Sequence, residues 1–451
     1  MEISFLGAAD TVTGSRHLVH LADRRILLDC GLFQGYKTFR TRNWQPLPVP
    51  PKSIDAVVLS HAHIDHSGWL PLLVRGGFAG RIYCSAATRD LTELLLLDSA
   101  HLQEEDARRA NRFGFSKHSP ALPLYTTADA KRAIERLEVV DIGHPFAIGH
   151  VHATLIPAGH LLGACAVTLA AGGRTLAFSG DLGREDDLLM PPPQRIAHAD
   201  VLLVEATYGD RRHPIVDAGA QLGDIVRRTI HRGGSVLLPS FAVGRAQAVL
   251  LCLQRLRAAG AIPDTLPIYL DSPMAATATT LYRRHRRLLR ISAAEGEHLC
   301  DGVTIIETPQ ESEALTRSRF PNVIVSASGM ATGGRVLHHL RALAPDTRHH
   351  IVFAGFQVPG TRGAKMIAGS RDVKIFGSYV PVRAEVSHLE GFSGHADADE
   401  LLGWLRGFER PPQQTFVVHG DPQASDALRL RIAEELGWQV TVPEHRSTVS
   451  L

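Results

Sequence analysis

The sequence predicts an α/β protein in which helices cover the faces of β-sheets. Short apolar runs rich in β-branched residues recur along the chain, among them RRILLDCG, IDAVVLSH, RTLAFSGD, ADVLLVEAT, GSVLLPS, NVIVSASG and TFVVHGD. Amphipathic stretches lie between them, such as TADAKRAIERLEVV (127–140) and RAQAVLLCLQRLRAAG (245–260), and these predict helices. Alternation of the two patterns is typical of α/β domains. Because 451 residues are too many for one ordinary core, we expect more than one domain.

The composition limits the function classes that need to be considered. The chain is 44% hydrophobic and 21% charged with a net charge of +2, so nucleic-acid binding would require a local basic patch. Only six of the 48 basic residues are Lys. The five cysteines form no CxxC pair, which argues against a disulfide framework or a cysteine-ligated metal. Neither a signal peptide nor an apolar run of membrane-spanning length is present, and we therefore expect a cytoplasmic protein without a membrane anchor.

Ionisable side chains follow several of the predicted strands at the point where each strand ends. In open α/β sheets, ligands bind where loops leave the carboxyl ends of strands. Six such residues from six strands predict a single site: Asp29, His61, His160, Asp181, Glu205 and His419.

The stretch LSHAHIDHSG (59–68) indicates a metal centre. His61 and His63 are two residues apart on an extended segment, so both can face one ion, whereas Asp65 and His66 lie at the turn into a predicted helix, SGWLPLLVRGG. Imidazole suits zinc, and His/Asp ligation favours a catalytic over a structural site. Four ligands in one turn exceed the share of a single ion, which predicts a two-metal centre. Its further ligands would come from elsewhere, with His160, Asp181 and His419 as the candidates.

These motifs resemble the metallo-β-lactamase superfamily, whose signature is HxHxDH followed by a distant His, Asp and His. LLDCG, SHAHIDHSG, AGHLLGA, FSGDLG, VEATYGDRRH, GFSGHAD and VVHGD extend the resemblance to the β-CASP ribonucleases, which include the pre-mRNA 3′-end-processing endonuclease. The resemblance implies an αββα four-layer sandwich with an inserted α/β β-CASP domain. The sandwich would comprise residues 1–208 and 389–451, and the insert residues 209–388.

The resemblance also implies the roles of the site residues. One Zn²⁺ would be held by His61, His63 and His160. The other would be held by Asp65, His66 and His419. Asp181 would bridge the two ions, and Asp29 would orient the ligands by hydrogen bonding.

The same resemblance implies a general acid, His395, which would be oriented by Glu205 and would protonate the leaving oxygen. Ser393 is a further candidate, as a donor to the scissile phosphate. The glycine-rich loop SASGMATGGR (326–335) contributes the candidate phosphate contacts Ser328, Gly329 and Arg335, although such a loop is equally typical of a tight structural turn. The arginine-rich run LYRRHRRLLR (281–290) fits a solvated helix face better than a phosphate contact. His17, His101, His213 and His388 belong to no pattern and are expected to be structural.

The function expected from the resemblance is hydrolysis of single-stranded RNA by a stand-alone ribonuclease of bacterial type with two zinc ions. The enzyme would be an endonuclease, with 5′-3′ exonuclease action as a further mode, and a homodimer is the oligomeric state considered. Two alternatives stay open: a thioester or lactam hydrolase on the same scaffold, and a non-catalytic RNA-binding subunit. Relatives of the first kind are generally shorter, and those of the second typically lose metal ligands, whereas every ligand position is filled in this chain.

Overall fold

The computed structural model describes residues 1–114, 116–355 and 357–451. Strands in the described residues are, in chain order, β1 (Glu2–Gly7), β2 (Arg16–Leu21), β3 (Arg24–Leu28), β4 (Ala56–Val58), β5 (Arg81–Cys84), β6 (Leu137–Val139), β7 (Phe146–Ile148), β8 (Val151–Pro157), β9 (Cys165–Ala171), β10 (Arg174–Phe178), β11 (Val201–Glu205), β12 (Val236–Pro239), β13 (Ile268–Asp271), β14 (Thr304–Ile305), β15 (Val323–Ser326), β16 (His350–Ala354), β17 (Asp372–Ile375), β18 (Ser378–Pro381), β19 (Glu385–Leu389), β20 (Gln414–Val418), β21 (Val440–Thr441) and β22 (Thr448–Ser450).

Helices connect and cover these strands. The α-helices in the described residues are α1 (Lys37–Arg42), α2 (Ile64–Ser67), α3 (Leu70–Arg75), α4 (Ala86–Phe113), α5 (Thr127–Ile134), α6 (Ala218–His231), α7 (Arg245–Ala258), α8 (Pro273–Arg284), α9 (Ala293–Glu297), α10 (Pro309–Thr316), α11 (Val336–Leu343), α12 (Arg362–Ile367), α13 (Ala398–Leu405) and α14 (Pro422–Arg431). None of the described helices is both long enough and apolar enough to cross a membrane.

The chain forms two units. The first contains residues 1–185, 192–212 and 395–451, and the second contains residues 186–191 and 213–394. The boundaries between the units lie at 212/213 and 394/395, a few residues beyond the domain boundaries expected from the sequence. The segment 186–191 belongs to the second unit, which the sequence did not indicate.

The first unit has two seven-stranded sheets in the orders β22-β1-β2-β3-β4-β5-β6 and β21-β20-β11-β10-β9-β8-β7. Strands β3 to β6 run parallel to one another, as do β10, β11, β20 and β21. Apolar side chains from both sheets, including Phe5, Val58, Phe178 and Leu203, form one buried core between them. Helices α3, α4 and α5 cover the outer face of the first sheet, and α14 packs against β20 of the second. This arrangement confirms the αββα four-layer sandwich.

The second unit has a six-stranded parallel sheet in the order β14-β13-β15-β12-β16-β19 and a separate antiparallel hairpin of β17 and β18. Successive residues of its central strands point to opposite faces, as a pleated strand requires. Val236 and Leu238 join one apolar cluster with helices α6 and α7, whereas Leu237 joins another with α11 and α12. Helices therefore cover both faces, as expected for an inserted α/β domain.

Two predicted helices differ in the structure. The stretch 127–140 was expected to be one helix, but α5 ends at Ile134 and residues Leu137–Val139 pair with β5 as an edge strand. The ERLEVV end of this stretch combines helix formers with β-branched residues, so its local preference is mixed. Pairing with the neighbouring strand makes it a β-strand instead of a further helical turn. The helix expected in SGWLPLLVRGG is shorter than that stretch: it is α3, with Pro71 in its first turn, and the separate short helix α2 precedes it.

Candidate metal centre

The site is assembled at the carboxyl ends of neighbouring strands of the first unit. Asp29 and His61 follow the adjacent parallel strands β3 and β4. On the other sheet, Asp181 follows β10, Glu205 ends β11 and His419 follows β20, and these three strands are also adjacent. Parallel neighbours end at the same edge of a sheet, so residues far apart in sequence meet there.

One group of ligand atoms is formed by His61, His63, His160 and Asp181. The Nδ1 atom of His63 lies 3.2 Å from the Nε2 atoms of both His61 and His160. The Oδ2 atom of Asp181 lies 3.5 Å from Nε2 of His61 and 3.7 Å from Nε2 of His160. A tetrahedral zinc with ligand distances of about 2.0–2.1 Å has edges of roughly 3.3 Å, so these four atoms fit one ion.

The second group is formed by Asp65, His66 and His419. The Nε2 atoms of His66 and His419 are 3.0 Å apart, and Oδ2 of Asp65 lies 3.6 Å from Nε2 of His419. Asp65 and His66 lie in the single turn of α2, at the helix start that the sequence predicted.

Asp181 faces both groups with different oxygens. Its Oδ2 atom belongs to the first group, and its Oδ1 atom lies 3.3 Å from Nε2 of His66. Oδ1 is buried without a hydrogen-bond donor among the described residues. A buried carboxylate oxygen without a donor is costly unless a cation compensates it. The donor set therefore fits a pair of metal sites that share Asp181.

The ionisation states suit metal binding. Burial lowers the pKa of His63 to about 4 and the pKa of His61 well below 6.5, which leaves both imidazoles neutral as ligands must be. Burial opposes the charge of Asp181, but the neighbouring His419, His66 and His61 outweigh it and hold the pKa of this carboxyl well below 3.8. His61 and His63 are thus neutral beside an ionised Asp181. Burial opposes the protonation of His66, but the charges of Asp181 and Asp29 outweigh it and raise the pKa of His66 well above 6.5, so a metal bound at its Nε2 would displace a proton.

Hydrogen bonds orient several of the imidazoles. The Nδ1–H of His66 donates to Oδ2 of Asp29 at 2.7 Å, which turns Nε2 of His66 toward Asp181 and His419. Ser60 Oγ lies 3.0 Å from Nδ1 of His61. Thr207 Oγ1 lies 3.2 Å from Nδ1 of His419. The roles of Ser60 and Thr207 were missed at the sequence level, although each stands beside a motif residue.

Two residues of the centre have a left-handed backbone. Asp29 has a φ of 58° and His419 a φ of 52°, a conformation that non-glycine residues adopt rarely and that Asp and His tolerate better than most. Such conformations concentrate at functional sites.

His395 and Glu205 form a third group with Asp181. Nδ1 of His395 lies 3.3 Å from Oε2 of Glu205 and 3.9 Å from Oδ2 of Asp181. Glu205 is fully buried and also accepts the backbone N–H of Leu182 at 2.5 Å. Burial opposes the protonation of His395, but the charges of Glu205 and Asp181 outweigh it and raise its pKa above 6.5. His395 is thereby kept in a state that can donate a proton near neutral pH.

The predicted phosphate contacts belong to the second unit. Arg335 donates to Asp271 at 2.8 Å and to the backbone oxygens of Ile306 and Glu307. Ser328 Oγ accepts the N–H of Thr332 at 3.0 Å. Ser393 is buried beside Glu390, whose oxygen accepts its N–H. The contacts of Ser328 and Arg335 fit a tight structural turn, and phosphate contact by Ser328, Gly329, Arg335 or Ser393 stays a prediction.

Three family models match the chain. The metallo-β-lactamase superfamily covers residues 14–217, the β-CASP domain covers residues 246–366, and the Zn-dependent metallo-hydrolase RNA specificity domain covers residues 379–443. The chain belongs to the β-CASP family of metallo-β-lactamase fold proteins. It is therefore a metallo-hydrolase with the domain set of a nuclease.

Named relatives match the chain over nearly its whole length. It is 40% identical over 438 residues to Ribonuclease TTHA0252 of Thermus thermophilus, covering 95% of each chain. It is 32% identical to Transcription termination factor FttA of Pyrococcus abyssi, covering 100% of this chain and 71% of that protein. A crystal structure of a protein of unknown function from Enterococcus faecalis V583 matches all of this chain and 99% of that one, with a TM-score of 0.54 and 14% identity. The last likeness bears on the fold alone.

Proposed function

We propose that the protein is a zinc-dependent ribonuclease that hydrolyses phosphodiester bonds of single-stranded RNA. The observation that carries the proposal is Asp181, whose two carboxylate oxygens face two adjacent ligand groups while His395 lies 3.9 Å away. The named ribonuclease relative and the RNA specificity model support RNA as the substrate.

Two Zn²⁺ ions fit the donor set. His61, His63 and His160 would hold one and Asp65, His66 and His419 the other, with Asp181 shared. Nitrogen and carboxylate ligands without cysteine are typical of catalytic zinc. When bound, such a pair activates a water for attack near neutral pH and stabilises charge on the phosphate oxygens.

His395 would complete the reaction. As the water oxygen bonds to phosphorus, the P–O3′ bond breaks and the leaving 3′-oxygen needs a proton. His395 would donate it from Nε2, because Nδ1 faces Glu205. Glu205 orients the ring and favours its protonated form. Asp29 and Thr207 would not bind metal themselves. Asp29 would orient the imidazole of His66, and Thr207 would orient that of His419.

The proposal is tested with RNA and DNA of one sequence, labelled at either end and incubated with metal-loaded or chelated protein. His395→Ala and Asp181→Ala are assayed alongside, with His298→Ala, an exposed histidine of the second unit, as the control. We expect zinc-dependent RNA cleavage that both site variants abolish and the control retains. The fragment ladder separates internal cutting from 5′-3′ degradation.

A zinc-loaded protein that leaves RNA intact would refute the proposal. Hydrolysis of a thioester or lactam by that protein would then support the hydrolase alternative. RNA binding without cleavage would support the binding-subunit alternative. A cytoplasmic location and a homodimer stay predictions, and the dimer is tested by the molar mass of the purified protein in solution.

A further inference from the structure

The hairpin of β17 and β18 presents an aromatic and cationic surface that the metal centre does not use. Its inward residues Val373, Ile375 and Val380 are buried in an apolar cluster with α11 and α12. Its outward residues Lys374 and Tyr379 are exposed and directly opposite each other across the two strands. Phe376 stands at the tip. We call Lys374, Phe376 and Tyr379 the hairpin patch.

The turn at the tip of this hairpin contains Phe376, a residue type that disfavours the backbone conformation of the turn. Ile375 pairs with Ser378, so the loop has only two residues, Phe376 and Gly377, with φ angles of 49° and 84°. Two-residue loops of this kind favour Asn-Gly, because both positions need a positive φ. A bulky aromatic residue with positive φ is an outlier that local folding preference does not explain. Strain of this type persists at functional positions.

The aromatic side chains of the hairpin patch are open to solvent. Phe376 is 47% exposed and Tyr379 is 72% exposed. The ring of Phe376 contacts the ring of His338 of α11, with centroids 4.7 Å apart and planes tilted by 42°. The ammonium of Lys374 lies 6.0 Å from the centroid of Tyr379. Aromatic faces held beside a cation are the elements that bind unpaired bases and their phosphates.

The surrounding segment is strongly basic. Residues 362–383 contain five Lys or Arg residues and one acidic residue, Asp372. Among the described residues, none of these five cations forms an ion pair with a carboxylate. The guanidinium of Arg362 instead donates to the backbone oxygens of Lys374, Ala331 and Thr332, which fixes the hairpin without neutralising the charge. An excess of positive charge complements a polyanion.

We propose that the hairpin patch is a stacking surface for single-stranded RNA, with Phe376 and Tyr379 contacting bases and Lys374 contacting the backbone. This inference rests on the proposed function for the identity of the nucleic acid. It adds a substrate-binding surface outside the metal centre, and it accounts for a phenylalanine kept in a turn position that disfavours it.

The test measures binding of a fluorescent oligouridine by anisotropy, using the metal-loaded full chain in the His395→Ala background so that cleavage does not interfere. Phe376→Asn and Tyr379→Ser are each expected to weaken binding roughly ten-fold, since base stacking on an aromatic contributes that much or more. Lys374→Gln is expected to reduce the slope of log affinity against log salt by about 0.7. Phe320→Ser is the matched control, because Phe320 is 80% exposed in the same unit.

Phe376→Asn also separates a binding role from a packing role. Because asparagine suits the turn, we expect the Tm to be unchanged or raised by up to about 4 °C while RNA binding falls. A lower Tm with unchanged binding would show that Phe376 serves packing, and would overturn the inference. Unchanged RNA binding with a loss of dimer in solution would overturn it in favour of contact between two copies of the chain.

Failure of the proposed function gives a different result. If the zinc-loaded wild-type protein does not cleave RNA but the hairpin variants still bind it more weakly, the stacking surface stands and the nuclease proposal falls. If the wild-type protein cleaves RNA and all hairpin variants bind it as their His395→Ala parent does, only the hairpin inference falls. If the parent does not bind RNA, both fall.

Discussion

Replacing Asp29 by asparagine should weaken one metal site without removing a metal ligand. The carboxylate of Asp29 is fully buried and accepts four hydrogen bonds. Its Oδ1 atom accepts the Ser60 N–H at 2.7 Å. Its Oδ2 atom accepts the hydroxyls of Ser60 and Ser15 at 2.8 and 3.2 Å and Nδ1–H of His66 at 2.7 Å.

An amide keeps only one of these two acceptors. The backbone N–H of Ser60 cannot accept a hydrogen bond, so the amide oxygen is needed near it and the NH₂ group replaces Oδ2. The two hydroxyls can rotate to accept from this group. His66 can accept at Nδ1 only if its proton moves to Nε2, the atom that faces Asp181 and His419. A protonated Nε2 cannot bind a metal.

The two possible orientations of the introduced amide have different costs of similar size. Changes to groups that orient metal-bound histidines typically lower metal affinity 10- to 100-fold, which is about 1.4–2.8 kcal/mol. If the amide instead turns its NH₂ group toward Ser60, a buried donor is left unsatisfied at a cost of about 1–3 kcal/mol. The first orientation therefore weakens metal binding by the group that contains His66, whereas the second lowers the free energy of unfolding by a similar amount.

The assay is competition for zinc between the protein and a chromogenic chelator, which yields the affinity of each site. For Asp29→Asn we expect one affinity to fall 10- to 100-fold and the other to change less. The control is Asp301→Asn, because Asp301 makes the same contact with Nδ1 of His298, at 2.8 Å, on an exposed surface. Two wild-type affinities in a folded Asp29→Asn protein would refute this role of Asp29 in orienting His66.

Three further predictions concern the acid, the second imidazole support and the metal. Glu205→Gln should move the alkaline limb of the kcat–pH profile to lower pH, because protonated His395 is the active form and Glu205 raises the pKa of His395 above 6.5. The control variant Glu435→Gln changes an exposed residue and should leave the profile unchanged. An alkaline limb that does not move in Glu205→Gln would contradict this role of Glu205. Thr207→Val removes the hydroxyl 3.2 Å from Nδ1 of His419 and should lower the metal affinity roughly ten-fold. The control variant Thr277→Val changes an exposed threonine and should leave the affinity unchanged. Equal affinities in the two variants would contradict the support of His419 by Thr207. Free zinc at a hundred times its Kd should stabilise the chelated protein by about 2.7 kcal/mol, seen as a higher Tm in scanning fluorimetry, and an unchanged Tm would exclude binding to the folded state.

The positions of the candidate ligands could be predicted because strand ends are visible in the sequence. Asp29, His61, Asp181 and His419 each stand directly after an apolar run, and adjacent parallel strands bring their ends to one edge. The family confirms the class of enzyme that this pattern indicated. The division of roles among the ligands still came from resemblance, since spacing does not state which oxygen of Asp181 faces which group.

Other features depend on contacts that no local pattern encodes. Ser60 and Thr207 support imidazoles through single hydroxyls, and many serines and threonines have no such role. Arg335 stays a predicted phosphate contact because it lies beside glycines, but the sequence did not reveal that its guanidinium contacts the buried Asp271. The end of α5 at Ile134 depends on pairing with β5, a tertiary effect that the helical pattern of 127–140 did not reveal.

Two metal sites that share Asp181 are expected to act together on RNA, and the ratio of zinc to chain tests this most directly. The measurement adds zinc stepwise to the metal-free chain and follows bound zinc by native mass spectrometry and RNA cleavage in the same samples. Cleavage should rise with the second equivalent and level off at two ions per chain. Full activity at one ion per chain, or activity independent of bound zinc, would contradict a shared two-metal centre.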